Sequence, residues 1–284
     1  MVRVACVTMA YNEKTNLPRW LRHYGKWFGV DSLYVIDDGS DDGSTKGLQC
    51  SVLRTPRLAF DDQRKSDILS GLQHSLLKYY DVVIVGDTDE YIVADPARFP
   101  SLNDYCDQMT QPIATPIGLN IVHLSDREAP LDQQQPILGQ RQYVFFAGAM
   151  CKSVVTKVPT TWGTGNHRSA PGPQFDPDLY LFHTKHADFE QLRARQAVTR
   201  DMEWAPEMLR KKMGNHQRQS DQWLEKQQDK IRRQIPGAGF EPFDFTRLMS
   251  EAWAGRNEFN GLTTVDTKVR GPLMVIPSRF YGAV

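Results

Sequence analysis

The sequence predicts an α/β fold with a mostly parallel central sheet flanked by helices, and three observations point that way. Apolar, β-branched runs alternate with helix-patterned segments through the first hundred residues. The run Val82-Val83-Ile84-Val85 has the composition of a strand buried on both faces. Carboxylates follow three of the expected strands: Glu13 after the first, Asp37 and Asp38 after the second, Asp87 and Asp89 after the fourth. Open α/β sheets bind ligands at that carboxyl edge.

Arg3–Met9 reads as the first strand, followed by the loop Ala10-Tyr11-Asn12-Glu13 and a helix to about Phe28. Leu17, Leu21, Tyr24 and Phe28 recur there at helical spacing. Ser32–Ile36 and Ser51–Arg54 read as the next strands, and Asp62–Tyr79 as a helix with Ile68, Leu72 and Leu76 on one face. Short connections between alternating elements imply right-handed crossovers. Beyond the fourth strand the pattern changes. Ile117–Leu124 and Tyr143–Met150 are strand-like runs around a polar loop at 125–141, whose length predicts a functional or mobile segment. Trp162–Pro173, rich in Gly, Pro and Thr, reads as irregular. From Phe189 to Ile235 the chain is charged, Gln-rich and helix-favouring, interrupted at Pro206 and stopped at Pro236-Gly237. Leu273–Ile276 is a closing strand-like run. The expected division is a sheet domain over 1–188 and a mainly helical C-terminal extension over 189–284, packed on it.

A chain of 284 residues has room for one large α/β domain with an appendage. Lys+Arg and Asp+Glu both number 34, so the basic surplus that a nucleic-acid binder needs is absent. Cys6, Cys50, Cys106 and Cys151 are scattered without CxxC pairing, the pattern of a reducing compartment. No run approaches the ~18–20 apolar residues of a membrane span. Met1–Val7 reads as a strand rather than a signal peptide. A cytoplasmic location is expected, with peripheral membrane association open through the Arg/Lys excess after residue 189.

Residues i and i+2 at a strand end point the same way, so Asp87 and Asp89 present their oxygens together. Mg²⁺-like ions take one or two carboxylates and complete their shell from substrate phosphates, which this pair suits. A solvated acidic turn is the plain alternative. Asp38, Ser40, Asp42 and Gly43 imitate half of a calcium loop, but the twelfth position is Gln49 and a strand precedes it, which excludes that reading. The glycines at 39, 43 and 47 do not form GxGxxG. What remains is a tight turn whose acidic side chains reach a ribose or a base edge, or a turn that Asp, Gly and Ser favour on their own.

Three segments then stand out together: Thr8-Met9-Ala10-Tyr11-Asn12-Glu13, Tyr34-Val35-Ile36-Asp37-Asp38-Gly39-Ser40-Asp41-Asp42-Gly43, and Gly86-Asp87-Thr88-Asp89-Glu90-Tyr91. In order and spacing, over roughly the first 95 residues, they resemble the family 2-like glycosyltransferases of the GT-A fold. The resemblance is closest to the Asp-x-Asp-Glu-aromatic branch related to the family 92 type. Lys152-Ser153, Gly165-Asn166-His167 and Leu181-Phe182-His183 extend it. It implies metal-dependent transfer of a sugar from a nucleotide-diphosphate donor to a saccharide or glycan acceptor, as in polysaccharide biosynthesis, with Mn²⁺ or Mg²⁺ on the diphosphate. By position it implies that Ala10, Tyr11 and Glu13 line the nucleoside pocket, that Asp38 contacts the base, and that Arg64 contacts base or phosphate. Asp89 would ligate the metal, and Asp87 would reach the ribose or the metal's water shell. A cation so placed stabilises a departing nucleotide diphosphate without a proton donor. GT-A enzymes often complete the metal site with a later His. His183, at an expected strand end, is the first choice and His186 the second, while Lys185 between them meets the diphosphate or solvent.

Hexosyl transfer with inversion requires a base within reach of the acceptor hydroxyl. The Glu-Asp pair that supplies it in ordinary family 2 enzymes is absent around Gly163–Ser169. His167 is the first candidate and Asp126, on the polar loop, the second. Two other functions stay open. A sugar nucleotidyltransferase would place a Gly-rich, basic loop after the first strand, where this chain has Ala10–Glu13. A non-catalytic nucleotide- or glycan-binding module would explain the absent Glu-Asp pair but not the intact Asp87 and Asp89. Trp162, Trp204, Trp223 and Trp253 suit core packing before sugar stacking.

Overall fold

The computed structural model describes residues 2–233 and 243–284, so the expected helix stop at Pro236-Gly237 lies outside the described residues. Four strands form the parallel half of the sheet: β1 (Val4–Ala10), β2 (Leu33–Asp37), β3 (Ser51–Arg54) and β4 (Val82–Val85). They lie in the order β4-β1-β2-β3, each parallel to its neighbour. In β1, Val4, Cys6 and Ala10 enter the apolar layer shared with Leu17, Trp20 and Tyr24 of α1 (Asn16–Phe28). Ala5 and Val7 enter the layer shared with Leu69 and Leu76 of α2 (Asp62–Leu76). Both faces are therefore buried, as the continuous apolar runs require.

The inner face of α2 differs from the expected one. Leu69 and Leu76 are buried, whereas Ile68 and Leu72 pack only in part, and the buried row beside them is polar. Ser66 Oγ donates to the Gly163 carbonyl at 2.9 Å, Ser70 Oγ accepts from the Trp162 amide at 3.1 Å, and Gln73 Nε2 donates to Thr156 Oγ1 at 2.8 Å. Buried polar groups left unmet would cost about 1–3 kcal/mol each, so these bonds fix the helix to the segment that carries His167.

The second half mixes strand directions. Its strands are β5 (Glu90–Ala94), β6 (Ile113–Val122), β7 (Tyr143–Ala147), β8 (Val155–Thr156), β9 (Thr161–Trp162), β10 (Ser169–Ala170), β11 (Phe175–His186), β12 (Asn257–Phe259), β13 (Leu262–Thr264) and β14 (Arg270–Val275). β8 joins β4 to β6 with antiparallel pairing on both sides, and β7 and β14 extend that edge. β11 runs parallel to β6 and antiparallel to β5. β9 and β10 pair within a separate four-stranded sheet with β12 and β13, where the Gly/Pro-rich composition had predicted an irregular stretch. Gly118 of β6 lets the backbone at Met150–Cys151 cross directly over the strand, since a Cβ there would stand 2.3 Å from the Met150 carbonyl carbon.

Short helices α3 (Leu102–Gln108) and α4 (Ile137–Gln140) precede the C-terminal ones: α5 (Phe189–Asp201), α6 (Pro206–Arg210), α7 (Asp221–Arg232) and α8 (Thr246–Ala254). Asp188 caps α5 by accepting from the Gln191 amide at 3.0 Å. Pro206 opens α6, where its missing N–H is not needed. β14 brings the C-terminal part of the chain into the central sheet beside β7. The polar loop at 125–141 is tied down: Glu128 accepts from the Leu124 and Gln142 amides, and buried Arg141 donates to the Ala129 and Ala187 carbonyls. Among the described residues, no helix is long and apolar enough to cross a membrane.

His23 on α1 is buried against Tyr24 and Tyr91, its Nε2 donating to the Ile92 carbonyl at 2.9 Å. Burial holds its imidazole near pKa 4, below the ordinary 6.5. As pH falls below about 6.5 the unfolded chain takes a proton there that the native one refuses. This contribution to stability is full above that pH and drains away toward pH 4. Thermal midpoints of wild type and His23→Gln, measured from pH 7 to pH 4, are expected to show a shallower acid slope in the variant. Parallel slopes would contradict the assignment.

Candidate functional site

A cavity of about 240 Å³ opens beside Ala10, Asp38 and Asp87, at the carboxyl edge of β1, β2 and β4. Strand register builds its floor. Asp87 and Asp89 occupy the turn between β4 and β5. Antiparallel pairing sets His183 of β11 opposite Glu90 of β5, and parallel pairing sets it beside Asn120 of β6. His183 Nε2 therefore lies 3.2 Å from Asp89 Oδ2, and Nδ1 lies 2.6 Å from Asn120 Oδ1. With the amide oxygen as acceptor, as placed here, Nδ1 carries a proton and Nε2 faces the carboxylate. Burial pushes the Asp89 carboxyl up, but His183 outweighs it and the group is held at about 2.

Two ligand atoms 3.2 Å apart match one edge of an octahedral shell, whose adjacent oxygens at about 2.1 Å from Mg²⁺ stand about 3 Å from one another. The Asn120 oxygen behind Nδ1 is the kind of outer partner that metal-ligating imidazoles have. Asp89 and His183 thus fit a divalent cation. No group of three or more His, Cys, Asp or Glu side chains placed to hold a metal occurs among the described residues, so substrate and water would complete the shell.

Asp87 lines the same cavity with other partners. Lys65 grips its carboxylate, and Lys152 Nζ stands 3.5 Å from it and 2.6 Å from Glu90 Oε1. Burial pushes the Asp87 carboxyl up, and the two ammonium groups override this to hold it far below the usual carboxylate range. Burial pulls the Lys152 ammonium down, and Glu90 and Asp87 override that, raising it above its ordinary value.

Ala10, Tyr11, Glu13 and Asp38 all line the cavity. The Arg57 guanidinium lies 3.6 Å from the Tyr11 ring centroid and pairs with Asp38. Glu13 is buried and pairs with Arg195 of α5 at 3.3 Å, while Arg195 Nη1 donates to the carbonyls of Tyr11 and Asn12 at 2.9 and 2.8 Å. Burial raises the Glu13 carboxyl despite Arg195. His167 also lines the cavity, with Nδ1 donating to the Ala149 carbonyl at 2.8 Å. Burial and Lys152 hold its imidazole at about 3. Two expected residues are placed apart from these. Arg64 does not line the cavity and donates to the Ala59 carbonyl. Asp126 sits outside the cavity, its side chain 51% exposed and 3.9 Å from Arg127.

Sequence reading overlooked Arg57, Asp62, Lys65 and Arg195. Asp62 and Lys65 flank Arg64 at the start of α2, and an acidic residue in a first turn is routine. Arg195 stands 184 positions from Tyr11, and no local pattern announces that contact.

No protein-family profile matches the chain, and no curated protein matches it. Among solved structures, the mannosyltransferase PcManGT from Pyrobaculum calidifontis, in complex with GDP-Man and Mn²⁺, aligns over 47% of this chain and 37% of its own at 16% identity, with a TM-score of 0.26. A mycobacterial protein aligns over 45% of this chain and 44% of its own at 16% identity, with a TM-score of 0.31. The matched region spans less than half of either structure, and likeness this distant leaves the site to be read from its own residues.

Proposed function

We propose that the chain is a metal-dependent glycosyltransferase on a GT-A-like sheet, taking a nucleotide-diphosphate sugar as donor and a saccharide as acceptor. The observation that supports it is the Asp89–His183 pair at the carboxyl edge of a parallel sheet, on the floor of a cavity also lined by Lys65, Lys152, Lys185 and Arg195. A diphosphate needs positive charge; Lys65, Lys152 and Arg195 are paired with Asp87, Glu90 and Glu13, so Lys185, which donates to the His216 carbonyl, and the bound cation would supply it. Asp89 and His183 would hold Mn²⁺ or Mg²⁺, which supplies the charge that a leaving diphosphate requires. Asp87, clamped by two lysines, keeps those ammonium groups fixed at the cavity wall. The Tyr11 ring, backed by the Arg57 guanidinium, offers a flat surface for the base, and Asp38 offers an acceptor for its edge.

A donor panel tests the reading. A uridine or guanosine diphosphate sugar is expected to raise the thermal midpoint by about 5 °C or more at 100 times its Kd, with Mn²⁺ present and not without it. No response to any nucleotide sugar would refute the proposal. A donor that binds but is neither hydrolysed nor transferred would favour the binding module instead.

A further inference from the structure

We infer that Asp62 takes the proton of the attacking hydroxyl while His167 accepts a neighbouring hydroxyl, so that the acceptor is a saccharide presenting two adjacent hydroxyl groups. This rests on the transferase reading above. Six carboxylates line the cavity, and five are committed to a basic partner: Glu13 to Arg195, Asp38 to Arg57, Asp87 to Lys65, Asp89 to His183 and Glu90 to Lys152. Among the described residues, Asp62 is the lining carboxylate with no basic side chain within 4 Å, although it is only 8% exposed.

Gly165 shows where that carboxylate lies, because its amide is a hydrogen-bond partner of Asp62. Its φ is +68°, and a Cβ on it would meet His167 Nε2 at 2.9 Å and Asp62 Oδ2 at 3.6 Å. Both atoms therefore border one small space that a glycine leaves open. A carbonyl can only accept, so the 2.8 Å bond from His167 Nδ1 to Ala149 fixes the proton on Nδ1 and leaves the Nε2 lone pair facing that space. An ionised carboxylate and this nitrogen are both acceptors, and a pair of hydroxyls on one sugar ring is a matching pair of donors. Burial raises the Asp62 carboxyl, which makes it a better proton acceptor than an exposed carboxylate. The His167 imidazole, held at about 3, accepts a hydrogen bond without competing for the proton.

In the step itself the acceptor oxygen forms a bond to the anomeric carbon. The bond from that carbon to the diphosphate oxygen breaks, and its electron pair leaves on the diphosphate. The hydroxyl proton goes to the Asp62 carboxylate.

The test uses the whole chain with a nucleotide-sugar donor, Mn²⁺ and a saccharide acceptor. Asp62→Asn is expected to lower transfer about 100-fold or more, with the donor-induced thermal shift unchanged, which shows that the fold and the donor site persist. Asp62→Glu should recover part of the rate. His167→Gln should raise the acceptor KM and erase the preference for the saccharide over its deoxy analogue lacking the adjacent hydroxyl. Transfer by Asp62→Asn within threefold of wild type would overturn the role of Asp62. Equal use of the deoxy analogue by wild type would overturn the paired-hydroxyl reading. Wild type that fails to bind any donor would instead bring down the transferase reading beneath both.

Discussion

Lys152→Met is expected to lower folding stability by about 3–5 kcal/mol, the cost of leaving a buried carboxylate without its cation. The lysine side chain is 3% exposed and sits 2.6 Å from Glu90, whose own side chain is 2% exposed. Methionine fills nearly the same volume, so packing changes little and the loss reports the charge. Glu90 would then be buried without a basic partner, and Asp87 would keep Lys65 alone. Urea unfolding of the variant is expected to show a lower midpoint at an unchanged slope. The double variant Lys152→Met/Glu90→Gln should recover most of the loss, since a neutral amide no longer needs the ammonium. A single-variant loss under about 1 kcal/mol, the range of exposed pairs, would show that the Lys152–Glu90 pair is open to water.

The parts of this fold that are legible in the sequence are those encoded by neighbours along the chain. β1 to β4, α1 and α2 follow from runs of apolar residues and their periods, and Asp87-Thr88-Asp89 from an abrupt end to one of them. His183 follows the apolar run 179–182 and reads as a strand end, but β11 continues to His186. β5 was not legible, because it starts at Glu90, a charged residue that reads as part of the acidic turn and is buried only because Lys152 meets it. That meeting depends on the backbone crossing at Gly118, a contact between distant segments that no periodicity carries. The inner face of α2 misled for a related reason. Ser66, Ser70 and Gln73 look like a solvated face until Trp162 and its neighbours arrive to bond with them. Asp126 was attractive as a carboxylate in a polar loop, but Glu128 and Arg141 tie that loop down with Asp126 outside the cavity.

Asp89→Ala is expected to weaken Mn²⁺ binding in the presence of a nucleoside diphosphate by at least about 100-fold, since even outer partners of metal ligands are worth 10–100-fold. Alanine removes one of two protein ligands and leaves His183 to hold the ion by itself. The backbone is spared, because Thr184 bonds the Asp89 carbonyl rather than its side chain, at 2.9 Å for the amide. The native fold should therefore survive and serve as its own control. Electron paramagnetic resonance follows the ion directly, as the signal of free Mn²⁺ falls when the protein takes it up. Titration of wild type with Mn²⁺ and uridine or guanosine diphosphate should deplete that signal at one site per chain, and Asp89→Ala should leave it standing at the same concentrations. Equal depletion by both proteins would place the cation elsewhere and contradict the account.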